Sequence, residues 1–252
     1  MTRTACLAIV YAIPLLCGAC SRSQQSMEKD PSRQMQAMRT AVPVVIDGKL
    51  DDPVWKVAPW YRLGFSKDRD AKGEVVKDGG RVRLSWDADH LYLAAEFRDR
   101  DVVATRDEDE AHHYETGDVC ELFLKPDIGE HYWEIYVTPG GRKTTFYLPK
   151  FLEIAPRNTY TSGLRVAAQV DGTLNDRSDH DYGWTGEMAV PINDLTVHGN
   201  PFGPGAKWRI FIGRYNYNIQ HTDDKPELSM TPPLSKTFYH LIKEYPALEL
   251  VE

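Results

Sequence analysis

A chain of 252 residues, 42% hydrophobic and 27% charged, is long enough to bury a substantial core as one large domain or two small ones. Lys and Arg number 30 against 37 Asp and Glu, a formal net charge of -7, and no basic run is interleaved with aromatics; nucleic acid is therefore not an expected partner. The 13 Tyr, six Trp and eight Phe often stand beside Asp, Asn or Gly, a mixture that suits sugar faces as well as a β-rich core.

The first twenty residues, MTRTACLAIVYAIPLLCGAC, carry a basic Arg3 and an apolar stretch from Ala5 to Leu16 that is short for a bilayer span and ends in small residues. This is the pattern of a secretory signal. Its end, Cys17-Gly18-Ala19-Cys20, resembles a bacterial lipobox, which implies a lipid on Cys20. Ser21 resembles the residue type that lets a lipoprotein pass to the outer membrane, with the lipid as the only membrane attachment. Cys6 and Cys17 leave with the signal and Cys20 carries the lipid, so Cys120 alone remains and no internal disulfide is available. Residues 21–40, SRSQQSMEKDPSRQMQAMRT, are polar and without sustained period, and are expected to be a flexible tether before a domain spanning 41–252.

Past the tether, short segments rich in β-branched and aromatic residues alternate with Gly, Pro, Asn and Asp. VPVVIDG is expected as the first strand, and DDPVWKVAPW offers the one stretch with helical promise, Pro53 opening a short helix and Trp55 and Trp60 dropping into the core. In RVRLSWDADHLYLAAEFRD, Val82, Leu84 and Trp86 alternate with Arg81, Arg83 and Ser85. A turn falls at Asp87-Ala88-Asp89, and Leu91, Leu93 and Ala95 alternate with Tyr92, Ala94 and Glu96, which predicts a hairpin. Further strands are predicted at DVCELFLKPD, HYWEIYVTPGG, KTTFYLP, LRVAAQVDG, GWTGEMAVP, KWRIFIGRYNYN and ALELVE. So many strands with few short helices between them predict an all-β fold, an antiparallel β-sandwich of jelly-roll kind.

Two strands carry acids in apolar rows. In GDVCELFL, alternation places Val119, Glu121 and Phe123 on one face and Cys120, Leu122 and Leu124 on the other, so Glu121 sits where a core residue is expected. On the GRYN strand, Arg214 continues the apolar row of Ile210 and Ile212, and a facing Arg and Glu would satisfy each other, either as a structural ion pair or as ligands for vicinal hydroxyls. In HYWEIYVTP, Trp133, Ile135 and Val137 form a core face, while Tyr132, Glu134 and Tyr136 are expected on a wet face, the solvated side of an edge strand or a binding surface. The acidic stretch DRDVVATRDEDEAHHY could hold calcium, but its spacing is not that of an EF-hand and a solvated loop is favoured; the adjacent His112 and His113 lack a third metal ligand in register.

The order of IDGKLDDPVWKVAPW, VRLSWDADHLYLAAEFRDRDV, GDVCELFL, WTGEMAVP and KWRIFIGRYN resembles the family 9 carbohydrate-binding modules, over almost all of residues 41–252. The resemblance implies a sugar cleft in a β-sandwich, no required cofactor, and often structural calcium. It implies that Glu121 bonds sugar hydroxyls, that Tyr114 and Tyr239 form the two aromatic walls where Trp is usual, and that Arg214 and Asn216 add polar ligands. The expected partner is a poly- or oligosaccharide, engaged at chain ends, in carbohydrate catabolism or capture at the cell envelope. Two other readings stay open: a jelly-roll glycosidase using Glu121 and Glu134 as its carboxylates, and a non-covalent haem protein drawing axial ligands from Met230, His240 or His221.

Overall fold

The computed structural model describes residues 34–156, 161–218 and 225–252 together with Met1. The expected signal, Cys20 and the tether up to residue 33 lie outside the described residues, Met1 apart.

Twelve strands build one continuous ladder that folds into a sandwich. They are β1 (Gln34–Arg39), β2 (Tyr61–Arg62), β3 (Gly80–Trp86), β4 (His90–Arg98), β5 (Val119–Pro126), β6 (Tyr132–Val137), β7 (Lys143–Leu148), β8 (Arg165–Asp171), β9 (Gly183–Pro191), β10 (Trp208–Asn216), β11 (Glu227–Thr231) and β12 (Ala247–Val251). Their order is β7-β6-β5-β10-β12-β1-β3-β4-β9-β8, with β11 on β10 and β2 on β3. Two short helices, α1 (Lys67–Asp70) and α2 (Ile192–Thr196), and two 3-10 turns complete the described secondary structure. The all-β sandwich is as the strand pattern predicts.

The start of the continuously described chain departs from expectation. Residues 34–39 are not tether but β1, parallel to both β12 and β3, with Met35 and Ala37 fully buried. The domain therefore begins before residue 41. VPVVIDG, in contrast, joins no ladder; its Val44 packs with Trp55, Tyr92, Ala94 and Ala189 on the outer face of β4 and β9.

The main core lies between the two halves of the ladder. Val82, Leu84, Leu91 and Leu93 from one half meet Cys120, Leu122, Ile135, Ile210 and Ile212 from the other. Pro53–Lys56 is a 3-10 turn with Pro at its start, and Trp55 and Trp60 are both buried, as plugs. Trp55 donates its indole N–H to Glu187 Oε1 at 2.9 Å, while Gly48 N donates to Oε2 at 2.9 Å. Glu187 thus latches the IDG turn and the Trp plug to β9. Burial pushes its carboxyl up to about 7, against the pull of those N–H donors.

A second apolar layer sits on the far side of β5, β6 and β10. Val119, Phe123, Tyr132, Tyr136, Phe146 and Phe211 are roofed there by the segment after β11, through Leu234, Tyr239 and Tyr245. A sheet buried on both faces explains why β5 and β6 read as nearly continuous apolar runs.

Candidate functional site

In β5 every residue but Lys125 is buried, and register decides what each one meets. Glu121 stands opposite Tyr136 of β6 and Gly213 of β10, whereas Arg214 stands opposite Cys120. Side chains of directly paired residues share a face, so the one-residue offset sends Glu121 and Arg214 to opposite sides of the sheet. The expected Glu121–Arg214 pair does not form.

Arg214 is fully buried in the main core. Its guanidinium binds Asp99 Oδ2 at 2.7 Å, donates to the backbone oxygens of Asp78 (2.8 Å) and Arg98 (3.0 Å), and lies 4.6 Å from the Phe97 ring centroid. It ties β10 to the end of β4 and is a structural group. Asn216 shares that face two residues on; it is buried, and neither polar atom of its side chain has a partner among the described residues. Neither Arg214 nor Asn216 lines the cavity at Glu121.

The opposite face carries that cavity, about 370 Å³, within the range of small-ligand sites of about 300–1,000 Å³. Three of the five residues singled out as sugar ligands line it, namely Tyr114, Glu121 and Tyr239, and Glu134 joins them. Tyr132, Glu134 and Tyr136 are not a wet face on an edge strand, because β6 is paired on both sides by β5 and β7 and covered by the roof. All three are buried, and Glu134 is the one of them that lines the cavity.

Gly213 makes room for the roof. A Cβ there would stand 2.4 Å from Cε2 of Tyr239, so only glycine lets that ring lie on the sheet beside Glu121. The Tyr239 hydroxyl is 2.8 Å from both Arg214 O and Ser229 O, and the residue is only 5% exposed. Tyr239 is therefore a fixed part of the roof, held against the sheet, rather than an open clamp wall. The rings nearer solvent are the half-buried Tyr114 and Tyr215, 5.7 Å apart, and Phe238, 37% exposed at the mouth. Phe238 and Tyr215 escaped the sequence reading. The one available signal was the aromatic pair TFYH itself, where the less buried neighbour is the accessible ring.

The electrostatics are those of two acids without a base. Glu121 is 2% exposed and its Oε1 has no hydrogen-bond partner among the described residues. Burial first, and the nearby Glu134 second, push its carboxyl well above the usual carboxylate range. Glu134 accepts the Tyr136 hydroxyl, and burial raises it to about 7. His240 Nε2 lies 3.8 Å from Glu134 Oε2 and its Nδ1 3.0 Å from the Tyr132 hydroxyl. Burial lowers His240 to about 4, so it is neutral at pH 7 and supplies no counter-charge. No Lys or Arg is among the described residues that line the cavity.

A second, more open cavity of about 960 Å³ adjoins the first at His240; it is bounded by Phe151, Lys150, Lys125 and Arg209. Phe151 meets Phe238 edge-on at 6.5 Å on the ridge between them.

Among the described residues, the acids expected to hold calcium are engaged by other partners. The acids of the 107–110 loop each have a partner: Asp107 binds Arg142 at 2.9 Å, Glu108 binds Arg106 at 3.1 Å, Asp109 accepts Lys143 N and Glu110 accepts Thr145 N. Among the described residues no group of three or more His, Cys, Asp or Glu is placed to hold a metal ion. His113 is occupied at both ring nitrogens, by Thr144 Oγ1 and Glu108 O. Of the haem candidates, Met230 is fully buried with its sulfur accepting Leu234 N at 3.4 Å, and His221 lies outside the described residues.

Comparison with solved structures shows the same fold in three structures of two proteins. A Bacteroides uniformis protein assigned as carbohydrate-binding superposes with a TM-score of 0.67 at 13% identity, covering 86% of this chain and 99% of that one. A family 9 carbohydrate-binding module from Caldicellulosiruptor kristjanssonii is similar both in its complex with cellotriose, at TM-score 0.58, 14% identity, 87% of this chain and 94% of that one, and in its complex with glucose, at TM-score 0.56, 14% identity, 86% and 95%. No curated protein sequence matches the chain. The profile of the carbohydrate family 9 binding domain-like family matches residues 46–203, the stretch that runs from the latched IDG turn through the Glu121 strand and β9. With more than half of its length inside that match, the chain belongs to the carbohydrate family 9 binding domain-like family.

Proposed function

We propose that this protein captures oligosaccharides without cleaving them, in the cavity over Glu121. The observation that carries the reading is the Glu121 carboxylate itself: buried, with one oxygen unpartnered, facing an aromatic-rimmed cavity. An unsatisfied buried acceptor is costly, and a ligand hydroxyl that donates to it relieves that cost. Tyr114, Tyr215 and Phe238 offer ring faces to the apolar side of a pyranose, while Glu121 and Glu134 accept from its hydroxyls. The enclosed cavity takes a terminal sugar and the adjoining open cavity takes the rest of the chain. Family membership and the sugar complexes of the Caldicellulosiruptor kristjanssonii module support a saccharide as ligand.

Calorimetry against cello-oligosaccharides tests this. Glu121→Gln, Tyr114→Ala and Phe238→Ala are each expected to weaken binding by about 1–3 kcal/mol. Unchanged affinity in all three, with folding verified by circular dichroism, refutes the site.

The paired carboxylates favour a second reading, glycoside hydrolysis, which needs one protonated and one ionised carboxyl. Burial raises both, Glu121 well above the usual carboxylate range and Glu134 to about 7, and no cation among the described lining residues holds either ionised. Reducing-sugar release that disappears in Glu134→Gln would establish hydrolysis.

The signal and lipobox pattern supports export and anchoring through a lipid on Cys20, at the outer membrane. Replacing Cys20 by Ala is expected to move the protein from the membrane fraction to the soluble one. An unchanged distribution counts against the anchor.

A further inference from the structure

The cavity over Glu121 holds two carboxylates, and no Lys or Arg among the described lining residues balances them. Glu121 and Glu134 come from adjacent strands, β5 and β6, and project from the same face of the sheet in a diagonal relation, since Glu121 pairs with Tyr136 and Phe123 with Glu134. Both are buried, at 2% and 6% exposure, and both line the cavity. The other polar groups around them among the described residues are Tyr114, Tyr136, Tyr215, Thr237, Tyr239 and the neutral His240. Their hydroxyls are weak dipoles, and two are spent: Tyr136 on Glu134, Tyr239 on backbone oxygens. A neutral sugar would satisfy acceptor sites but would bring no counter-charge that lets the two acids ionise. An anionic sugar would add a negative charge to an enclosed site of low dielectric where burial already disfavours the ionised acids.

Resting on the saccharide reading, we infer that the cavity is selective for a cationic amino sugar, whose protonated amine is the counter-charge that Glu121 and Glu134 lack, and that it rejects uronic acids. A compact ammonium carries three donors and no acceptor, which matches a site offering carboxylate oxygens from two strands. Charge-assisted hydrogen bonds are roughly twice as strong as neutral ones, and an enclosed cavity limits screening by salt. On binding, the ammonium favours the ionised carboxylates, so the proton that burial retains in the empty cavity is released. The aromatic rim remains compatible, because the ring C–H face of an amino sugar is that of its neutral parent.

The test uses three β-1,4-linked trisaccharides that differ only at the 2-position: amine, hydroxyl or acetamide. Calorimetry is run in mildly acidic buffer, where the amine keeps its proton, on the purified protein and on Glu121→Gln and Glu134→Gln. The amine trimer is expected to bind about tenfold or more tightly than the hydroxyl trimer, a charge-assisted bond's margin. The acetamide trimer should gain nothing, and a glucuronate oligomer should not bind. In both variants the amine-to-hydroxyl ratio is expected to fall toward one. A ratio near one in the unmodified protein, with the hydroxyl trimer bound, overturns the selectivity and leaves the saccharide reading standing. A ratio that survives both substitutions also overturns it, because the preference then comes from the protein's net negative charge. Failure of every trimer to bind refutes the saccharide reading as well.

Discussion

Glu121 illustrates how a single side chain can be expensive in the empty protein and useful in the occupied one. Its neighbour Glu134 makes that cost measurable, because burial raises its carboxyl to about 7. A carboxyl whose pKa is higher folded than unfolded binds more protons in the folded state between the two values. Its contribution to stability is complete below the ordinary carboxylate range, near pH 4.5, and is lost as pH rises to about 7. Stability of the ligand-free protein is therefore expected to fall across that window, by up to about 3 kcal/mol for this group. Glu134→Gln should flatten the slope in urea titrations at several pH values; an unchanged slope would mean that Glu134 titrates normally. Arg214 has a different task. Removing one partner of a buried ion pair costs about 3–5 kcal/mol, so Arg214→Ala is expected to lower the urea midpoint sharply through the stranded Asp99. A stability close to that of the unmodified protein would contradict the structural role.

At the level of elements, alternation within a strand was legible in the sequence and register between strands was not. The hairpin from Gly80 to Arg98 and the two faces of β5 follow from period-two patterning alone. The Glu121–Arg214 pairing failed because the face a residue shares across a ladder depends on pairing offset, which no local pattern encodes. The strand β1 was hidden for a related reason. QMQAMR has no β-branched residue, and its two partners, β3 and β12, are remote in sequence. Gly213 is the element-scale key to the site, since its missing side chain admits Tyr239. Gly213→Ala is expected to displace the roof and to weaken sugar binding, while Gly64→Ala, where the added methyl meets open space, serves as control. Equal affinities in the two variants would show that the roof position does not matter.

For the whole molecule, three apolar layers divide the labour. The central one joins the halves of the ladder, the Trp55 layer closes one outer face, and the layer roofed by Tyr239 and Tyr245 closes the other and contains the cavity. Motif order in the sequence reached this architecture and located Glu121, Tyr114 and Tyr239 in one neighbourhood. The place of Phe238 at the cavity and the lack of a Lys or Arg among its described lining residues were out of reach, because both depend on how a distant C-terminal segment lies over the sheet. β1 bridges the two halves of the ladder, so deletion through residue 39 is expected to destabilise the entire domain, with Met35 and Ala37 lost from the central layer. A melting temperature indifferent to that deletion would put the domain boundary back near residue 41. The most direct test of the account is a crystal structure of the protein soaked with a β-1,4-linked trisaccharide. The account predicts a terminal sugar ring within hydrogen-bond distance of the Glu121 carboxylate, between Tyr114 and Phe238; a trisaccharide bound elsewhere, with the Glu121 cavity free of sugar, would contradict it.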